Sequence, residues 1–167
     1  MTFTQTVVLE QGGTGWEKIQ SIFSAARMWG ASVPAAYAAQ IALAIMLAAC
    51  LAWLWRSNAA FELKASALAS GSLLATPYVL DYDLVVLAVA IAWLARHGLR
   101  RGFEPFEISL LAAAWLVPLL SRGVAGASGI PLGLVVLLLT FACTMRRAVR
   151  DRGGDRDRKE PMRTPKE

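Results

Sequence analysis

Apolar residues gather into five stretches, at about 33–55, 65–80, 82–97, 107–121 and 130–146, with short polar or charged segments between them. The first, Val33 to Trp55, has 23 residues. As a helix it is about 35 Å long, enough to cross the hydrocarbon of a bilayer with some tilt. Trp53, Trp55 and Arg56 mark its interfacial end. The second, Ala65 to Leu80, runs through Ala69-Ser70-Gly71-Ser72, small residues that suit close helix packing, and Pro77 kinks or ends it. The third starts at Leu84, or at Leu80 if the aspartates lie inside the helix. The fourth, Ile108 to Leu120, contains Trp115 and Pro118, and the fifth, Pro131 to Met145, opens with proline at a plausible first helical position.

A different periodicity precedes them. Trp16, Ile19, Ile22, Phe23, Ala26 and Trp29 recur every three or four residues, opposite Glu17, Lys18, Gln20, Ser24 and Arg27, which predicts an amphipathic interfacial helix. The expected fold class is therefore all-α: a polytopic integral membrane protein of about five transmembrane helices plus this N-terminal helix. Residues 1–32 form an extracytoplasmic segment, 33–145 the bundle, and 147–167 a disordered, basic cytoplasmic tail.

Composition strengthens the membrane reading. Hydrophobic residues make up 56% of the chain and mean hydropathy is +0.48, beyond an ordinary soluble domain. The net charge of +5 does not signal a nucleic-acid partner, because it is concentrated at one end: from Arg146 onward nine basic side chains face five acidic ones. Cys50 and Cys143 lie in different apolar stretches and read as small buried hydrophobes. The amino terminus lacks the basic region and apolar run of a secretory signal.

Basic residues set the orientation, since cytoplasmic loops retain Lys and Arg. With the tail inside, alternate crossings put Arg122 outside, Arg96-His97-Arg100-Arg101 inside, the aspartate loop outside, and Arg56 with Lys64 inside. The first thirty-odd residues then fall outside with nothing before them to carry them across, so the expectation is a truncated chain.

The candidate chemistry lies in the loop Thr76-Pro77-Tyr78-Val79-Leu80-Asp81-Tyr82-Asp83. Carboxylates wedged between membrane segments are costly and call for a reason. Asp81 and Asp83 can cap a helix start; alternatively, with Tyr78 and Tyr82, they can bind sugar hydroxyls or a divalent ion, although a two-residue spacing is a weak metal signal. His97, the one histidine, reads as a solvated loop residue and the adjacent arginines as a topology determinant. Gly12-Gly13-Thr14-Gly15 lacks the strand and lysine of a phosphate loop.

Two blocks carry a family resemblance: Val8-Leu9-Glu10-Gln11-Gly12-Gly13-Thr14-Gly15-Trp16 with Lys18-Ile19-Gln20-Ser21, and Ala75-Thr76-Pro77-Tyr78 with Asp81-Tyr82-Asp83-Leu84. From about Val7 to Arg147 the chain resembles the carboxy-terminal portion of glycosyltransferase family 87, polytopic C-type enzymes typified by polyprenyl-phosphate-mannose-dependent alpha-mannosyltransferases of bacterial envelopes. The resemblance implies transfer of a hexose, often mannose, from a polyprenyl-phosphate sugar to a glycan or lipid acceptor at the outer face of the bacterial inner membrane. The catalytic carboxylate of such enzymes has no matching position here, so no catalytic residue is assigned and an inactive fragment is the expectation. The candidate substrate-binding residues are Glu10, Gln11, Trp16, Lys18, Tyr78, Asp81 and Asp83, with Lys18 or Arg122 pairing with the donor phosphate. A metal cofactor is not indicated. The competing readings are a small non-catalytic membrane subunit that packs against a partner and, behind it, a transporter fragment.

Overall fold

The computed structural model describes residues 18–159. Among these residues there are six α-helices: α1 (Ile22–Met28), α2 (Val33–Arg56), α3 (Phe61–Ala75), α4 (Leu87–Arg101), α5 (Glu107–Ser128) and α6 (Leu132–Lys159), with a 3-10 segment, Asp81–Val86, leading into α4. Four stretches are long and apolar enough to cross a membrane: Val33–Arg56, Tyr82–Arg101, Glu107–Ser128 and Leu132–Arg152. The fold is all-helical with the character of a multi-pass membrane protein.

α3, expected over 65–80, has 15 residues and ends at Ala75. Proline disfavours helical geometry in the residue before it, and Thr76, just before Pro77, is extended at φ −89° and ψ 127°. At about 22 Å α3 is too short to span the hydrocarbon by itself, yet it is closely enclosed, packed against α2, α4 and α6. Leu63, Ser66, Ala67, Ser70, Gly71, Leu73 and Leu74 are all buried. Small side chains make this possible. A Cβ added to Gly71 would stand 3.3 Å from both Leu51 and Phe141. The Ser66 hydroxyl donates to Ala90 O at 3.0 Å and lies 3.3 Å from Thr144 Oγ1, so it ties α3 to α4 and α6.

The outer helices follow ordinary amphipathic logic turned toward lipid. On α2, Ala36, Gln40, Leu43, Leu47 and Leu54 form the buried stripe, spaced three, four or seven residues apart on one face, while Ile41, Ile45 and Met46 point out. On α5, Leu111, Ala114, Val117, Ser121 and Ala125 face inward, and Trp115, Leu119 and Leu120 are exposed.

Several boundaries differ from the sequence expectation. α5 continues through Pro118 to Ser128, so Arg122 lies within a helix and not in a loop; Gly129, left-handed at φ 69°, ends it with its N–H on Ala125 O. The N-terminal helix, expected from Trp16 to Trp29, is described only from Ile22, because Ser21 caps it by accepting the Ser24 N–H at 3.1 Å. Its Phe23 is fully buried, so α1 is packed into the bundle. α6 continues as helix to Lys159, where composition predicts disorder from residue 147; Arg147 is held by Glu107 beyond the apolar stretch, which anchors the helix there. The expectation for His97 is overturned: it is 2% exposed, inside α4, with Nε2 3.0 Å from Asp151 Oδ2. Its surroundings are helix α6, invisible to a reading of its sequence neighbours.

Substitution of Gly71 by valine is expected to destabilise the bundle by ~1–3 kcal/mol through overpacking. Gly123→Ala, where the added Cβ meets nothing within 4 Å, is expected to leave stability unchanged or raise it by up to ~1 kcal/mol. Thermal unfolding of the detergent-solubilised variants compares the two; a Gly71→Val protein that melts with the parent rejects the close packing.

Candidate functional site

The two ends of the bundle differ in chemistry. At one end the α2–α3 turn, the α4–α5 turn and the Arg146–Arg152 stretch of α6 meet, and all the described inter-residue salt bridges are there. Arg100 and Arg96 reach Glu62 at 2.7 and 3.7 Å, and Arg146 and Arg150 share Glu104 Oε2 at 2.8 and 3.1 Å. Glu107 and Arg147 form a buried pair, with side chains 0% and 4% exposed. Glu107 Oε2 also accepts the Glu104 N–H at 2.7 Å, and Arg147 donates to Gly102 O at 2.6 Å. The Arg152, Arg96 and Lys64 cations lie over the Trp53, Trp93 and Trp55 rings. Cations against a ring of tryptophans are the pattern of a membrane–water interface. The sequence assigned Arg56, Lys64, Arg96, Arg100, Arg101 and the start of the tail to one side, and the fold gathers these segments at one end.

The opposite end holds the described candidate residues. Ile19 makes a bridge with Leu80, and Gln20 N–H donates to Val79 O at 2.7 Å. The described part of the first motif block, Lys18-Ile19-Gln20-Ser21, is thereby stitched to the aspartate loop some sixty residues further on. Lys18 is half-buried beside this junction. Tyr78 is half-buried too and packs against the buried cluster of Ile19, Phe23 and Ala36, so its ring serves the cluster as well as the surface. Asp83 Oδ2 accepts the Leu80 N–H at 2.9 Å, the geometry of the capping role, while Tyr82 is 70% exposed. Asp81 opens the 3-10 segment. Arg122 is exposed on α5. Glu10, Gln11 and Trp16 lie outside the described residues. Among the described residues no group of three or more His, Cys, Asp or Glu side chains gathers as a metal site would.

Two glutamines hold this end together. Gln40, 4% exposed in the middle of the apolar face of α2, donates from Nε2 to Leu74 O and Ala75 O, each at 3.0 Å, and accepts the Phe23 N–H at 3.3 Å. It therefore serves carbonyls that α3 leaves open where it ends at Pro77, and an orphan donor in the first turn of α1. Gln20, 1% exposed, accepts the Gly133 N–H at 3.1 Å and so caps α6. A Cβ at position 133 would stand 2.7 Å from that oxygen, so a larger residue there would push the Gln20 amide away from its present position. Gln40 was not singled out in the sequence, and Gln20 entered only as a member of the first motif block and of a polar helix face. Gln40 had a signal: it is the one polar side chain strong enough to need a partner in an otherwise apolar span.

Gln40→Leu is expected to lower stability by at least ~2 kcal/mol, because it leaves buried backbone groups unpaired at ~1–3 kcal/mol each. Ala38→Leu, on the exposed face of the same helix, is the control expected to melt with the parent. Equal melting of the two variants in detergent would remove the role given to Gln40.

No protein-family model matches this chain, and no curated protein or solved structure is significantly similar to it.

Proposed function

We propose that the chain provides the outer-face, substrate-contacting end of a membrane glycosyltransferase, in which a hexose passes from a polyprenyl-phosphate sugar to an envelope glycan or lipid acceptor. The observation that supports this reading is the junction between the two motif blocks: Gln20 N–H on Val79 O, with Ile19 against Leu80. Residues that resemble the family only as separate short motifs become neighbours in space. In this reading the ionic end, with its arginines and tryptophans, faces the cytoplasm of a bacterial cell, and the junction faces out.

The chemistry asked of the junction is recognition of a phosphate and of sugar hydroxyls. Lys18 supplies a cation beside it, and a charge-assisted contact to phosphate is strengthened where water is scarce. The aspartates supply acceptors for hydroxyl protons. Asp83 spends one oxygen on Leu80 N–H, which leaves the other for a ligand. The aromatic surface comes from Tyr82, largely exposed.

Asp83→Asn keeps an amide oxygen for the Leu80 N–H while removing the charge, so it separates folding from binding. In membranes carrying the full-length protein and a radiolabelled polyprenyl-phosphate hexose, Asp83→Asn and Lys18→Gln are each expected to slow transfer roughly tenfold or more, at unchanged abundance. That is the loss of one charged hydrogen bond. Absence of sugar transfer by the parent above vesicles lacking it refutes the reading.

A further inference from the structure

Between α5 and α6 at the ionic end lies a groove of about 310 Å³, remote from the junction of the motif blocks. Its walls include Phe106, Glu107, Leu110, Leu139, Ala142 and Arg146. Most of that surface is apolar, and Leu139, Ala142 and Phe106 are exposed on the outside of the bundle, so the groove opens sideways toward lipid. Leu139 is seven residues from Arg146, about 10 Å along the helix. The lining thus runs from headgroup level into the depth of the acyl chains.

Two polar features specify an occupant. Arg146 and Arg150 both rest on the single carboxylate of Glu104, which leaves a surplus positive charge at the rim, and Arg146 is about half exposed. Glu107 is the second. Its side chain is fully buried, Oε2 is engaged by Arg147 and by Glu104 N–H, and Oε1 has no hydrogen-bond partner. A buried acceptor left open is costly, and no donor among the described residues reaches this one; a small rotation of the side chain toward the groove that Glu107 lines would give it one from a bound ligand. Arg147 already neutralises the carboxylate, which makes an uncharged hydroxyl a better match than an ammonium group.

We infer that this groove binds an anionic glycerophospholipid with a hydroxylated headgroup, of the phosphatidylglycerol class: one acyl chain lies along Leu110, Leu139 and Ala142, the phosphate meets Arg146, and a headgroup hydroxyl donates to Glu107 Oε1. Phe106 favours such an adaptable rim. It is held at φ 67°, a left-handed conformation unusual for a side chain of this size, and is 84% exposed.

The test uses the full chain purified in detergent, exchanged against palmitoyl-oleoyl phosphatidylglycerol, phosphatidylcholine or phosphatidic acid, with retained lipid counted by native mass spectrometry. Phosphatidylglycerol is expected to be retained roughly tenfold over phosphatidylcholine and several-fold over phosphatidic acid, which lacks the hydroxyls. Ala142→Trp, which fills the groove from its exposed side, and Arg146→Gln, which leaves Arg150 on Glu104, are each expected to abolish that preference. Retention of phosphatidylglycerol no better than phosphatidylcholine overturns the inference, as does equal retention of phosphatidic acid or an undiminished preference in Arg146→Gln. If Ala142→Trp does not fold, Leu139→Phe tests the same wall.

Discussion

Backbone groups that lose their helical partners inside an apolar bundle must be given new ones, since lipid offers none. α3 meets this constraint most severely. Pro77 ends it after 15 residues, and the chain continues through Thr76–Leu80 without helix. The carbonyls of Leu74 and Ala75 are taken up by Gln40 and that of Val79 by Gln20 N–H. These bonds hold the end of α3 against α2 and α1 although Ala75 and Thr76 are themselves exposed. The small residues of α3 then let α2, α4 and α6 close around it, and the short serine and threonine hydroxyls between them bond back to helix carbonyls.

α6 carries this arrangement from one end of the molecule to the other. Its first turn is capped by Gln20 through Gly133, its middle is tied to α3 by Thr144 and Ser66, and one turn further on it is fixed to α5 by the Arg147–Glu107 pair. A buried ion pair is not by itself a strong source of stability, because desolvation offsets most of the attraction. Its value here is in register. Arg147 can satisfy both Glu107 and the Gly102 carbonyl only when α6 stands at one height and rotation relative to α5.

What the sequence made legible and what it concealed divide along the same physical line. Features written in local pattern were readable. The first span, the small-residue helix and the break at Pro77 all follow from composition and backbone sterics over a few residues. The helix ends were less so: α5 passes Arg122 because a single arginine can lie on an exposed helix face without ending it. Contacts across long separations were not legible. Glu107 and Arg147 are 40 residues apart, and nothing near either one signals its partner; His97 looked solvated because Asp151, which covers it, was assigned to a disordered tail. At the candidate site the loop itself was visible from its aspartates and tyrosines. That Ile19 and Gln20 would sit against it required the fold, since apolar residues recurring every three or four positions from Trp16 to Trp29 read as helix until Ser21 is seen to begin it.

The two ends therefore respond to different variables. The junction of the motif blocks is built mainly from neutral amides, glutamine side chains and backbone groups, with the Asp83 carboxylate on Leu80 N–H as its one charged contact among the described bonds. The ionic end is a set of arginine–carboxylate contacts, several of them half exposed, which salt screens readily. A mainly neutral scaffold suits a surface that must hold one geometry while charged ligands come and go, because added salt or a bound phosphate does not compete for most of the bonds that shape it. For the lipid site inferred above, the exposed charges at the other end would exchange a protein carboxylate for a lipid phosphate while the buried Glu107–Arg147 pair stays in place. That pair, shielded from water on both sides, separates the adaptable rim from the rigid bundle behind it.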